Sequence, residues 1–126
     1  MMKPSTFCPD GCPPDDAGTA LGRIFRFVQG SQPCRDDMRS WAEQGRNPGQ
    51  GSACQRCALS VLVDEDDVAK ARKAVPLFRK WKVAAAEFVA GQGKIKQTGN
   101  NEWHHSLWVA ETIETTVHEQ FQVVLL

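Results

Sequence analysis

The sequence predicts an α+β domain, with a mostly antiparallel sheet of about five to six strands and two short helices packed on one side. Two observations carry this prediction. The apolar run Cys57–Val63 leads directly into the acidic cluster Asp64–Asp67, which is typical of a buried strand followed by a helix. Turn residues at Gly91–Gly93 and Thr98–Asn101 separate the later apolar segments by hairpin lengths. Short turns of this kind favour antiparallel neighbours.

In the first part of the domain, the sequence predicts a strand, a helix and a loop. Residues 22–29 alternate aromatic and aliphatic side chains, as in a strand that is covered on both faces. Residues 33–43 carry apolar side chains at helical spacing, and Gly45 suits the end of that helix. The glycine-rich residues 45–53 are predicted to form a loop.

The middle of the chain contains the clearest helix start. Asp64 is a good N-cap, and acidic residues fill the first turn, where the helix dipole favours negative charge. Pro76 cannot continue the backbone hydrogen-bond ladder, so the sequence predicts that this helix ends or kinks at Val75.

The last part of the chain is predicted to be mostly strand, in the overall order β-α-β-α-β-β-β-β. Strands at residues 82–89, 94–97 and 103–109 lead, through a connection at residues 111–119, to a closing strand at Phe121–Leu126. The last four residues of that strand are apolar on both faces, and an exposed apolar edge invites pairing with another chain. We therefore expect a homodimer through the C-terminal strand.

Composition predicts one domain and limits its partners. Residues 1–20 hold four of the seven prolines and predict an irregular N-terminal arm, and residues 21–126 predict a single α+β domain. The chain has 15 basic and 15 acidic residues, which makes nucleic acid an unexpected partner. No apolar run reaches the roughly 18 residues of a membrane span, and the first residues lack a signal-peptide pattern. We expect a cytoplasmic protein without a membrane partner.

One stretch departs from this balance. Residues 78–82 are basic and aromatic, and further basic residues of the same stretch are Arg72, Lys73, Lys94 and Lys96. Phosphate contacts and base stacking use such side chains, but a solvated face beyond a helix end explains them equally well.

The five cysteines raise the question of whether they are reduced or paired in disulfides. Their number is odd and no export signal is visible. We expect reduced thiols and no cofactor. The alternative is a four-thiolate zinc site, since two short spacings on turns can each supply two ligands to a tetrahedral ion. Its ligands would be Cys8, Cys12, Cys54 and Cys57.

Polar residues inside apolar strands are the other candidates for function. Arg26 and Ser60 each lie in mid-strand, and the pair His104-His105 stands beside two tryptophans, one of them Trp108. A buried arginine is either paired or faces a cleft, because an unpaired internal charge is costly. Together these residues predict a pocket for a small anionic ligand, with one histidine as a base or donor. The structural alternative is that each is satisfied within the fold.

The chain resembles a group of short, uncharacterised bacterial proteins of the mobile gene-cassette type, as carried on integrons. The resemblance lies in an early strand with Phe25, Arg26 and Val28, in the Leu59-Ser60-Val61 strand before an acidic helix, and in a strand with His104, His105 and Trp108. It implies no particular activity.

Arg26, Ser60 and Gly93-Lys94-Ile95 also resemble the ADP-ribosyltransferase fold, in which an arginine and a serine hold nicotinamide dinucleotide. That family uses a glutamate in a Glu-x-Glu spacing, whereas Glu111 and Glu114 stand in Glu-x-x-Glu.

Three functions remain open from the sequence. The first is a stand-alone bacterial binding or accessory protein encoded on a mobile element. The second is a small enzyme or nucleotide binder whose pocket uses Arg26, Ser60 and one of His104 and His105. The third is a zinc-stabilised adaptor. Whether the protein is an enzyme is not decided by the sequence.

Overall fold

The computed structural model describes residues 2–126 and has the mixed helix and strand content of an α+β protein. Short 3-10 turns lie at Arg35–Met38, Pro76–Lys80, Glu111–Ile113 and Val117–Gln120. The α-helices are α1 (Trp41–Gln44), α2 (Ala53–Arg56) and α3 (Glu65–Ala74). The strands are β1 (Gly18–Thr19), β2 (Gly22–Val28), β3 (Leu59–Val61), β4 (Lys82–Phe88), β5 (Gly93–Gln97), β6 (His105–Val109) and β7 (Gln122–Val124).

Within residues 2–126 the strands form two antiparallel sheets, so the prediction of a single sheet is wrong. One sheet has four strands in the order β1-β5-β6-β3, and the other has three in the order β2-β4-β7. The turn at Gly91–Gly93 does not pair β4 with β5, because the chain changes sheet there. It changes sheet again between β1 and β2. Gly22, at the start of β2, has φ +82, and Gly91, in the turn between β4 and β5, has φ +92. Bends of this kind let one chain supply strands to two packed sheets.

The two sheets meet again at the middle of β2. Phe25 N–H donates to the carbonyl of Leu62 at 2.8 Å, and Leu62 N–H donates to the carbonyl of Phe25 at 2.9 Å. Leu62 directly follows β3, so this bridge joins the edge of the four-stranded sheet to the edge of the three-stranded sheet. The core lies between the sheets and includes Leu59, Leu107 and Ile24.

Helix α3 covers the outer face of the three-stranded sheet. Its Val68 and Ala71 pack with Phe25, Leu62 and Val83. Its start follows the sequence signal, because the Asp64 side chain accepts from the N–H of Asp67 at 2.8 Å. It ends at Ala74, and Val75 has extended dihedral angles before Pro76, as the lost hydrogen bond and the ring of proline require.

The helix predicted at residues 33–43 is broken in the structure. A 3-10 turn covers Arg35–Met38, Arg39 is extended, and α1 begins again at Trp41. Ser40 causes the restart, because its hydroxyl accepts from the N–H of Glu43 at 3.2 Å and caps a new helix. Serine competes for the backbone in this way and so favours helix starts over helix interiors. The loop predicted at residues 45–53 runs into a further helix, α2.

Residues 2–20 pack onto the four-stranded sheet. Strand β1 pairs with β5, and Pro4 forms an isolated bridge with Ala110. The division at residue 20 stays a prediction.

At the other end of the chain, β7 is shorter than the predicted closing strand and pairs with β4. None of the helices in residues 2–126 combines the length and apolar character needed to cross a bilayer.

Candidate functional site

The outer face of the four-stranded sheet carries a row of polar side chains. Strand alternation places Leu59, Leu107 and Ile95 toward the core, and the residues next to them face outward. Ser60 is the register partner of Ser106, and Ser106 is the register partner of Lys96. We call the surface formed by Ser60, Lys94, Lys96, Thr98, His104 and Ser106 the polar face.

Ser60 and His104 are hydrogen-bonded on this face. The Oγ atom of exposed Ser60 lies 2.9 Å from Nε2 of His104. The other ring nitrogen, Nδ1, lies 3.2 Å from the carbonyl oxygen of Thr98 and 3.1 Å from its hydroxyl. Because a carbonyl can only accept, its hydrogen bond requires the proton on Nδ1. Nε2 then accepts from the Ser60 hydroxyl.

The turn between β5 and β6 holds His104 in place. Thr98 N–H donates to the carbonyl of His104 at 3.2 Å. The Gln97 amide nitrogen donates to the carbonyl of Asn101 at 2.9 Å, which ties the loop to the end of β5. Thr98 Oγ1 also lies 2.8 Å from Oγ of buried Ser106. The imidazole is therefore oriented by a connected network and by a fixed backbone.

The surroundings of His104 favour its neutral form. Burial lowers the pKa of His104 below its ordinary value of 6.5, the hydrogen bond to the Thr98 backbone opposes this, and His105 lowers it further. Half-buried Trp103 and the imidazole are in an edge arrangement, with ring centroids 6.1 Å apart and an interplanar angle of 72°. A neutral imidazole whose Nε2 carries no proton is the form that can take the proton of the Ser60 hydroxyl.

Arg26 joins this group through the backbone of Ser60. Its Nη1 donates to the Ser60 carbonyl at 2.7 Å, and its Nε donates to the Asp37 carbonyl at 2.8 Å. Burial lowers the pKa of Arg26 to about 10, against the attraction of Asp37, so the side chain stays charged at neutral pH. Arg26 therefore links β2, β3 and the 3-10 turn, and it orients Ser60 without contacting its hydroxyl.

His105 and Trp108 lie apart from Ser60 and His104. His105 belongs to the opposite face of β6, and its Nδ1 is buried without a hydrogen-bond partner in the described part of the chain. It lies near buried Asp67, whose pKa is raised first by burial and then by Asp64, while His105 opposes the shift. Trp108 is only 1% exposed. The structure thus brings together Arg26, Ser60 and His104 from the predicted set, and ligand binding there stays a prediction.

The four cysteines predicted as zinc ligands meet at one place. They pair as Cys8–Cys57 and Cys12–Cys54, so in this structure the four form disulfides, contrary to the expectation of reduced thiols. Cys34 is free and exposed. The sequence separations of 49 and 42 residues explain the error, since neither bond follows from local spacing.

The basic and aromatic stretch at residues 78–82 is partly used inside the fold. Phe78 stacks on Phe27 with ring centroids 4.3 Å apart. Arg79 Nε donates to the carbonyl of Arg72 at 3.0 Å, and Arg72 Nη2 donates to the carbonyl of Trp81 at 3.1 Å. Arg79 thus caps the last turn of α3, where free carbonyls favour cations, and Arg72 ties that turn to the segment that follows the helix.

Sequence reasoning missed two members of the site and one cleft. Thr98 and Ser106 were not predicted, although hairpin register with Lys94 and Lys96 would have placed them on the polar face. An open cleft of 710 Å³ lies between residues 31–35 and 118–123, and its lining residues do not include Ser60 or His104.

Comparison of the chain with protein-family models, with curated proteins and with solved structures found no match.

Proposed function

We propose that the protein is a small hydrolase with Ser60 as nucleophile and His104 as general base. The hydrogen bond between Ser60 Oγ and His104 Nε2, with Nδ1 held by Thr98, carries this proposal. A nucleophile, a base within 3 Å or so and a group that orients the base are the parts that acyl transfer needs. Ser60 is exposed, so a substrate can reach its hydroxyl.

The proposed chemistry uses the two residues in turn. Nε2 of His104 takes the hydroxyl proton as Ser60 Oγ bonds to the carbonyl carbon of an ester. The ester C–O bond then breaks, and His104 returns the proton to the leaving alkoxide. A water molecule repeats the sequence, which releases the acid and restores Ser60. Thr98 keeps the Nδ1 proton in place and stabilises the imidazolium that forms.

The charge of the polar face favours a small anionic ester. Lys96 lies in the same cross-strand row as Ser60, two strands away, which is about 10 Å at the usual strand spacing. Lys96 pairs with Asp16 at 2.7 Å, whereas Lys94 has no acidic partner within 4 Å among residues 2–126. The Lys94 ammonium, which donates to Thr19 Oγ1 at 3.5 Å, is on the same strand as Lys96, and its charge suits a carboxylate or phosphate group on the substrate.

The test is hydrolysis of carboxylated p-nitrophenyl esters and labelling by a fluorophosphonate. We expect Ser60→Ala to reduce both to background and His104→Gln to lower kcat/KM by about 10²- to 10⁴-fold. Protonation of His104 removes its acceptor, so the rate should fall with decreasing pH. Because burial lowers the pKa of His104, the midpoint of that fall should lie below 6.5.

Ser31→Ala is the matched control, because Ser31 is exposed and distant in sequence from the dyad. It should leave activity and labelling unchanged. A wild-type protein that neither reacts with the probe nor hydrolyses any ester, and that loses thermal stability on Ser60→Ala, would show a purely structural hydrogen bond.

A second candidate is a binding or accessory protein that acts as a homodimer through its C-terminal strand. Strand β7 is an edge strand of the three-stranded sheet, and the Leu125 that follows it is fully exposed. An open strand edge followed by an exposed apolar side chain favours pairing with a second copy.

For this candidate, light scattering is expected to give a dimer that Leu125→Lys converts to a monomer. Lysine blocks edge pairing by charge and costs little in the folded monomer, because Leu125 makes no buried contact. Leu77→Lys changes an apolar residue that is 51% exposed elsewhere and should leave the dimer intact. A wild-type monomer at high concentration would exclude dimerisation through β7.

A further inference from the structure

The arm and the turn that carry the four paired cysteines bring all four sulfurs to one sheltered place. Cys12 and Cys57 are buried, Cys8 and Cys54 are half-buried, and they pack with Trp108. The cluster is therefore largely sheltered from solvent, as a structural metal site is.

The sulfurs of different pairs lie at a spacing that suits a tetrahedral metal. Cys12 Sγ and Cys57 Sγ are 3.7 Å apart although they belong to different disulfides. Two thiolates bound to one zinc at about 2.3 Å are separated by about 3.8 Å in a tetrahedron. The sulfurs of Cys8, Cys12 and Cys57 all lie within 4.8 Å of one another.

The backbone supplies the ligands in two pairs, as zinc sites commonly do. Cys8 and Cys12 flank a turn in which Gly11 has φ +79, and Cys54 and Cys57 flank the end of α2. The Cα atoms across the two pairings are 5.2 and 5.6 Å apart. Rotation of each side chain about its Cα–Cβ bond can therefore open the four sulfurs around a central ion.

Two further features favour thiols over permanent disulfides. Cys34 is free and exposed, and an unpaired surface thiol is characteristic of a reducing compartment. Arg56, between the two cysteines of the second turn, has a buried Nε with no hydrogen-bond partner among residues 2–126. Four thiolates around one Zn²⁺ carry a net charge of −2. Because Arg56 lies between two of these cysteines in the sequence, such a site would provide negative charge near its guanidinium.

We propose that Cys8, Cys12, Cys54 and Cys57 form a structural zinc site, and that the two disulfides are its oxidised, metal-free form. Zinc binding to the four thiols releases four protons. Oxidation converts the four thiolates into two disulfides and frees the zinc. The four electrons pass to two molecules of hydrogen peroxide, which take up four protons and become four molecules of water.

The first test is metal analysis of protein purified from a reducing cytosol without chelator. We expect one zinc per chain. Peroxide should then release that zinc and lower the mass of the chain by four hydrogens. Cys34→Ser is the matched control and should keep the metal, whereas Cys54→Ser should lose it.

Because Cys54→Ser can fail to fold, the reduced wild-type chain is also titrated with Co²⁺ alone. A tetrahedral thiolate site should give visible d–d bands and a saturating stoichiometry of one, reversed by added Zn²⁺. Protein that leaves the reducing cytosol metal-free with both disulfides formed, or a reduced chain that shows no such cobalt spectrum, would overturn the proposal.

Discussion

Replacing Trp108 with alanine is expected to destabilise the protein by about 3–5 kcal/mol, the usual cost of removing a large buried aromatic side chain. Trp108 is 1% exposed and packs against Cys12 and Cys57. Its Nε1 donates to the carbonyl of Cys54 at 2.8 Å. Alanine would leave a cavity behind the sheet and a buried carbonyl without its donor. Urea denaturation under non-reducing conditions measures the loss.

Trp41→Ala is the control for this prediction, because Trp41 is 41% exposed on α1. Its cost should stay within about 1 kcal/mol. Trp108→Phe should fall between the two, since it keeps most of the apolar volume and loses the donor. Equal stability of Trp108→Ala and wild type would contradict a core role and favour the ligand role predicted from the sequence.

Arg26→Ala is expected to destabilise the domain by about 3 kcal/mol, because two carbonyls lose a charged donor. For a domain of this size that is a decrease in Tm of roughly 10 °C. The two bonds join the carbonyls of Asp37 and Ser60, so their loss also loosens the backbone that presents the Ser60 hydroxyl. We expect esterase activity to fall together with stability.

Arg23→Ala tests whether this effect belongs to the doubly hydrogen-bonded guanidinium of Arg26. Arg23 is exposed on the same strand and lies over the Phe25 ring at 4.9 Å, a contact worth about 0.5–1 kcal/mol.

If Arg26→Ala instead keeps its Tm but loses stabilisation by nucleotides or small acids that raise the Tm of the wild type, Arg26 is a ligand-binding residue. The two outcomes are opposite in a thermal-shift assay.

Local signals predicted the elements that depend on local physics. The start and end of α3 follow from the cap at Asp64 and from Pro76, both of which act within one turn. Strands β2, β4 and β5 lie within one or two residues of their predicted bounds for the same reason, since alternation and glycine turns are short-range. The broken helix at residues 33–43 shows the limit, because apolar spacing did not reveal that Ser40 restarts the backbone.

Sheet membership depended on contacts between distant segments. The glycines at residues 91 and 93 are compatible with a hairpin and with a corner between two sheets. The corner forms because β4 pairs with β2 while β5 pairs with β6. The cysteines pair across 49 and 42 residues, a distance at which sequence spacing carries no information about which sulfurs meet.

The candidate site shows the same difference between local sequence signals and contacts between distant segments. Sequence patterns predicted an α+β protein and identified Arg26, Ser60 and the pair His104-His105 as polar residues out of place in apolar strands. Contacts between distant segments bring the Arg26 guanidinium to the backbone of Ser60 and the His104 ring, rather than that of His105, to its hydroxyl. A hydrogen bond needs two atoms within about 3 Å, and local sequence patterns do not reveal such distances. Ser60 and His104 are 44 residues apart along the chain and meet only because β3 pairs with β6.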